Sequence, residues 1–241
     1  MLLFFIYIDI IRLFIYKMSV DVNTTDPNLQ LPDKALLYEI AGSSYADNYT
    51  GNIDGWSLLK QTPTLKFFKK EDYPVIVVGV RGTADFDDFA AWLPVVLDNI
   101  IDTQRYKKDT AVLLDFQRDY IPTQFYYYAT GHSLAGAIID DWLHAGLILK
   151  ARTYNPAIQL KDVDDASLDN YRVYASGDPL YKLFGARALK KGTKGEVRQS
   201  SSFIDFRTPL SVVPAFLFGK DMLNEHTWRN PLFHGGRIQE S

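Results

Sequence analysis

The sequence predicts an α/β domain in which a mainly parallel central sheet is flanked by helices. Three observations carry this expectation. Residues 75–80 form a short, continuously apolar run of the kind found in strands buried on both faces. An aromatic strand pattern over residues 125–129 is followed, after Gly131, by an apolar stretch of helical periodicity over residues 134–148. Further strand patterns at 151–154 and 171–175 continue the alternation of strands and helices from which parallel sheets are built.

Residues 1–17 are strongly apolar but contain Asp9 and Arg12. They have no basic leader and no small-residue cleavage site, which argues against a cleaved signal peptide. Three readings stand side by side: a membrane-surface or short anchor helix, an extension upstream of a true start at Met18, and an element packed on the domain. Residues 18–32 are polar and read as a linker, so the folded domain is expected over 33–241. There, Leu36, Leu37, Ile40, Ala41 and Tyr45 recur at helical spacing and predict a helix over 33–46 capped by Asp33. An antiparallel pair is expected over 56–68. After the 75–80 strand comes Arg81-Gly82-Thr83, then Phe86, Phe89, Ala90 and Leu93 on one helical face, disturbed by Pro94. Residues 109–120 predict another helix. The basic stretch from Lys182 to Arg198, with Lys190, Lys191 and Lys194, reads as a solvated loop.

The chain has 241 residues, 47% hydrophobic and 23% charged, enough to bury one sizeable core. A net charge of −3 supplies no broad basic field, so nucleic acid is not an expected partner. The absence of cysteine removes disulfides, a thiolate nucleophile and Cys-based zinc sites, and favours a reducing compartment. The protein is expected to be membrane-associated if residues 1–17 meet a lipid surface.

The chemistry is concentrated in Thr130-Gly131-His132-Ser133-Leu134-Ala135-Gly136-Ala137. A serine held out on a sharp strand-to-helix turn needs small residues two positions before and after it, here Gly131 and Ala135. The turn predicts Ser133 as the nucleophile of an α/β-hydrolase. The usual second glycine is replaced by Ala135, and Gly136 is the residue that would relieve the crowding. A serine hydroxyl needs a base, and the chain has four histidines. His132 lies inside the turn and points elsewhere. His144 is about three turns along the following helix, so His226 and His234 remain. The acid is expected beyond a later strand. Asp178 follows the 171–175 strand and precedes Pro179, though Gly177-Asp178-Pro179 is also good turn sequence. Asp162, Asp164, Asp165, Asp169, Asp205 and Asp221 read as solvated charges. For the oxyanion, the backbone N–H of Leu134 and Thr83 are the expected donors, Thr83 doubling as a helix cap.

Four motifs together resemble the class-three lipase family of α/β-hydrolases: Val80-Arg81-Gly82-Thr83, Gly131-His132-Ser133-Leu134-Ala135-Gly136, Gly177-Asp178-Pro179-Leu180 and His226-Thr227-Trp228. The resemblance implies an oxyanion loop at Thr83, the nucleophile Ser133, the acid Asp178 and the base His226, with Trp228 favouring His226 over His234. It further implies a lipid ester substrate, neither metal nor organic cofactor, and a lid over residues 84–97, where Phe86, Phe89, Trp92 and Leu93 read equally well as core. The closer likeness is to compact intracellular or viral members. Ala135 and Asn155-Pro156 depart from the family pattern. The competing reading is a lipase-like binding or scaffold protein with an impaired triad, and a third is an acyltransferase using the same acyl-enzyme.

Overall fold

The computed structural model describes residues 32–83 and 99–199. Helix α1 (Lys34–Ser43) begins where Asp33 accepts a hydrogen bond from the Leu36 amide at 2.9 Å, the cap its sequence predicts. Strands β1 (Asn52–Ile53), β2 (Trp56–Gln61) and β3 (Leu65–Lys70) form an antiparallel meander that pairs onto β4 (Val75–Val80). From β4 onward the sheet is parallel, through β5 (Tyr126–His132), β6 (Lys150–Tyr154), β7 (Asn170–Ala175) and β8 (Gly195–Arg198). The eight strands lie in the sheet in the order in which they occur in the chain.

Helices cover both faces of this sheet, which is why β4 is buried along its whole length. Val75 and Val77 point to the face covered by Leu36, Leu37 and Ile40 of α1. Ile76, Val78 and Val80 point to the other, against helix α2 (Gln104–Asp119) and helix α3 (Ala135–His144). Leu113 and Phe116 of α2 and Ala137, Ile138 and Trp142 of α3 fill that layer. The Trp142 indole donates to Thr110 at 2.8 Å and couples the two helices. Behind α3, the buried Asp140 accepts from Arg172 of β7 at 2.9 Å and from Asn170 at 2.7 Å, so the helix is tied by charge to a strand two places away.

Several expectations need correction. Helix α2 starts five residues earlier than residue 109, because Thr103 caps it by accepting from the Tyr106 amide at 3.1 Å. Strand β5 is not interrupted at Gly131 but runs through it to His132, since its backbone pairs with Thr153 of β6 and Val80 of β4. Helix α3 ends at His144, where Gly146 takes φ +66° and turns the chain back. The basic stretch after Lys182 is not a loop. It holds a π-helical turn (Tyr181–Gly185), the short helix α4 (Ala186–Lys190) and the edge strand β8. Glu196 holds that edge by bonding Arg152 of β6 at 3.1 Å, Tyr171 of β7 at 3.2 Å and Arg198 at 2.9 Å. Residues 1–17, the linker and the helical face at 84–97 lie outside the described residues. Among the described residues no helix is long and apolar enough to cross a membrane.

Candidate active site

The C-terminal ends of the parallel strands bring Thr83, Ser133 and Asp178 to one edge of the sheet. Ser133 follows β5 at φ +60°, in the left-handed region that a non-glycine residue occupies only under constraint. The constraint is visible on both sides. The Ser133 amide donates to the Tyr154 carbonyl at 3.2 Å, and the Ser133 carbonyl accepts from Gly136 and from Ala157, each at 2.9 Å. The residue is thus pinned between β6 and the segment after it while α3 begins beneath it.

The small neighbours act differently from their sequence reading. A Cβ at Gly131 would stand 2.6 Å from the Ala135 Cβ, so glycine at 131 is what makes room for the alanine methyl. Gly136 does not relieve Ala135. It lets α3 approach the next strand's exit, where a Cβ would meet that of Pro156 at 2.3 Å and the Ala157 carbonyl oxygen at 2.8 Å. Leu134 leads into α3 without a side-chain cap, and its amide, at a helix N-terminus, has no acceptor among the described residues.

Just beyond the adjoining strand β4, Gly82 lies against the turn, since a Cβ there would meet the His132 carbonyl oxygen at 2.3 Å and the Tyr45 hydroxyl at 2.4 Å. This close approach sets the following Thr83 beside the serine turn. The Thr83 hydroxyl is buried and has no hydrogen-bond partner among the described residues. Tyr45 fastens the arrangement: its hydroxyl bonds His132 Nδ1 at 2.9 Å and the Gly82 backbone. Burial pushes the Tyr45 hydroxyl well above its ordinary range, opposed by the Gly82 bond and by Arg105 and Arg81, so it stays neutral.

Asp178 sits in the turn after β7, fully buried. One carboxylate oxygen accepts from the Leu180 amide at 2.7 Å and the Tyr181 amide at 3.3 Å, and its own amide donates to Ala175 at 3.0 Å. The turn role and a place at the site therefore coexist in one residue. Ser133 and Asp178 emerge at the same edge from strands β5 and β7, with β6 between them. His226 and His234 lie outside the described residues, as do Asp205 and Asp221.

Two histidines have other work. His132 is held by Tyr45, as above. His144 Nε2 meets Asp162 at 2.8 Å. Asp162 is therefore not a solvated charge: it is buried, and desolvation raises its pKa against the lowering effect of the His144 hydrogen bond. Asp164, paired with Arg187, is an exposed charge as expected. Among the described residues no group of three or more His, Asp or Glu is placed to hold a metal.

The sequence reading passed over Tyr45, Gly82 and the part played by Asn155. Asn155 is buried at φ +40°, and its side chain accepts from the Ala175 amide at 2.8 Å. Asparagine is one of the few residues that enter this region readily, and its place before Pro156 at a strand end was the available signal.

No family model matches the chain, and no curated relative matches it. The chain is similar in structure to fungal lipases. It overlays a Rhizomucor miehei lipase–propeptide complex with a TM-score of 0.46 at 14% identity, over 70% of this chain and 68% of that one. The Lip2 lipase of Yarrowia lipolytica gives 0.43 at 13% identity, over 68% and 76%. A triacylglycerol lipase from Penicillium expansum gives 0.49 at 14% identity, over 70% and 79%. Likenesses this distant leave the chemistry to be argued from the chain's own residues.

Proposed function

We propose that the protein is a serine carboxylic-ester hydrolase that acts on lipid esters, acylglycerol or phospholipid, through an acyl-serine. The observation that carries this reading is Ser133 at φ +60° between β5 and α3, with the Leu134 amide following it and the buried Thr83 hydroxyl on the adjoining strand exit, neither bonded among the described residues. A serine held on such a turn, beside two donors without an acceptor among the described residues, is what an oxyanion site requires before substrate arrives.

In the reaction, Ser133 Oγ attacks the ester carbonyl carbon as its proton passes to the His226 imidazole. Leu134 N–H and Thr83 stabilise the negative oxygen of the tetrahedral intermediate. Collapse breaks the C–O bond, and the alcohol leaves with the proton from His226. Water then repeats the sequence on the acyl-serine and releases the carboxylic acid. Asp178 holds the imidazole in the required tautomer and stabilises its charged form. No metal or organic cofactor enters these steps. The lipid class rests on the resemblance of the four motifs to class-three lipases, and residues 1–17 are proposed to keep the enzyme at a membrane surface.

A fluorophosphonate probe tests the reading. The protein should be labelled, and Ser133→Ala should abolish both labelling and release of acid from a short-chain ester. A folded wild-type protein that neither labels nor hydrolyses such esters would favour the impaired scaffold instead.

A further inference from the structure

We propose that Asn155 is a positioning residue whose side chain fixes the Asp178 turn relative to Ser133; this rests on the acyl-serine reading above. In a parallel ladder a residue of one strand donates its N–H to its neighbour and accepts, through its own carbonyl, from a residue two positions further along. Asn155 follows β6 and keeps the first half of this pattern, donating to the Val173 carbonyl at 2.8 Å. At φ +40° its backbone has turned out of the strand toward Pro156. The second half is supplied by its side chain: the Ala175 amide donates to Asn155 Oδ1 at 2.8 Å, where a backbone carbonyl would otherwise stand.

The bond joins the two sides of the site. Tyr154, the residue before Asn155, accepts from the Ser133 amide at 3.2 Å, and Ala157, two residues after it, donates to the Ser133 carbonyl at 2.9 Å. Ala175 in turn accepts from the Asp178 amide at 3.0 Å. Through the adjacent residues Tyr154 and Asn155, and then Ala175, a line of contacts thus runs from Ser133 to Asp178, and the Asn155 amide oxygen is a side-chain link in it. Because the residue is fully buried, water cannot take that oxygen's place without rearrangement.

The experiment compares the full-length wild type with Asn155→Gly, alone and combined with Asp178→Asn, using a p-nitrophenyl butyrate assay and thermal unfolding. Glycine accepts the same φ, so the backbone path survives while the side-chain amide, with the oxygen that receives the Ala175 N–H, is lost. Asn155→Gly should lower kcat by about 10- to 100-fold, the scale of a lost outer-shell orienting contact, with KM within about threefold. In the Asp178→Asn background the same change should cost less than about threefold, since a residue acting through Asp178 has nothing left to position. Unchanged kcat in Asn155→Gly, or effects that multiply in the double variant, would overturn the proposal while leaving the hydrolase intact. Should Asn155→Gly fail to fold, Asn155→Ser, which also removes the amide oxygen, takes its place in the same cycle with the same outcomes. A wild type without activity is a failure of the hydrolase reading itself and removes the basis for the positioning role.

Discussion

Gly131 and Ala135 face each other across the Ser133 turn with room for one methyl between them: a Cβ at Gly131 would stand 2.6 Å from that of Ala135 and 2.7 Å from the Val80 carbonyl oxygen. The familiar arrangement of two small residues around a nucleophilic serine is thereby met by a glycine and an alanine, provided the glycine is the one on the strand. Gly131→Ala is expected to destabilise the fold by about 1–3 kcal/mol, as overpacking of a rigid core does, and to remove probe labelling of Ser133. Ala135→Gly should cost about 1 kcal/mol or less and keep labelling. Equal effects of the two changes, read by thermal unfolding and labelling, would contradict this account of the turn.

The identity of the base is open to direct test, because two of the four histidines are engaged elsewhere, His132 by Tyr45 and His144 by Asp162. His226→Ala is expected to lower ester turnover by about four orders of magnitude, as the loss of one member of a triad does. His234→Ala should leave turnover within about threefold of wild type. The reverse pattern in folded proteins would move the base to His234.

Glu196 makes the stability of the β8 edge depend on pH. Burial raises its pKa, but Arg198 and Arg152 outweigh that effect and hold it below the ordinary glutamate value. A carboxylate depressed in the folded state contributes stability that is present above its unfolded pKa of 4.5 and is lost as the pH falls through the lower folded value. Since its side chain is 31% exposed, solvent screening keeps the contribution modest. Glu196→Gln should lower the unfolding temperature at pH 7, by the equivalent of roughly 0.5–1 kcal/mol, and the difference should close in acid below pH 4.5. A difference that persists unchanged into acid would show that packing, not charge, holds the edge.

Apolar patterning made most of the sheet legible from sequence. Val75–Val80 declares itself because a strand covered on both faces has few polar residues to spare. The same logic hides β8: four residues at a sheet edge, all partly exposed and including Glu196 and Arg198, are held by cross-strand charge pairs that carry no hydrophobic period. The Ser133 turn was readable because its sterics restrict which residues can flank it, whereas Thr83 and Asp178 were expected from their places after strand patterns. Asp162 was not, because nothing local separates it from the exposed Asp164; only its contact with His144, on another element, does so. Asn155 showed in sequence as a departure from a family pattern, and its role depends on a backbone angle that spacing does not report.

The agreement between strand order in the sheet and strand order in the chain has a consequence for how the protein is made. No strand must be threaded between two already in place. A polypeptide leaving the ribosome N-terminus first can dock each new strand on the edge left by its predecessor, growing the sheet in one direction as synthesis proceeds. On this schedule the serine turn emerges before β6 and β7, and stays unclamped until Tyr154 and Ala157 arrive. The geometry of Ser133 is therefore completed by residues that are synthesised after it.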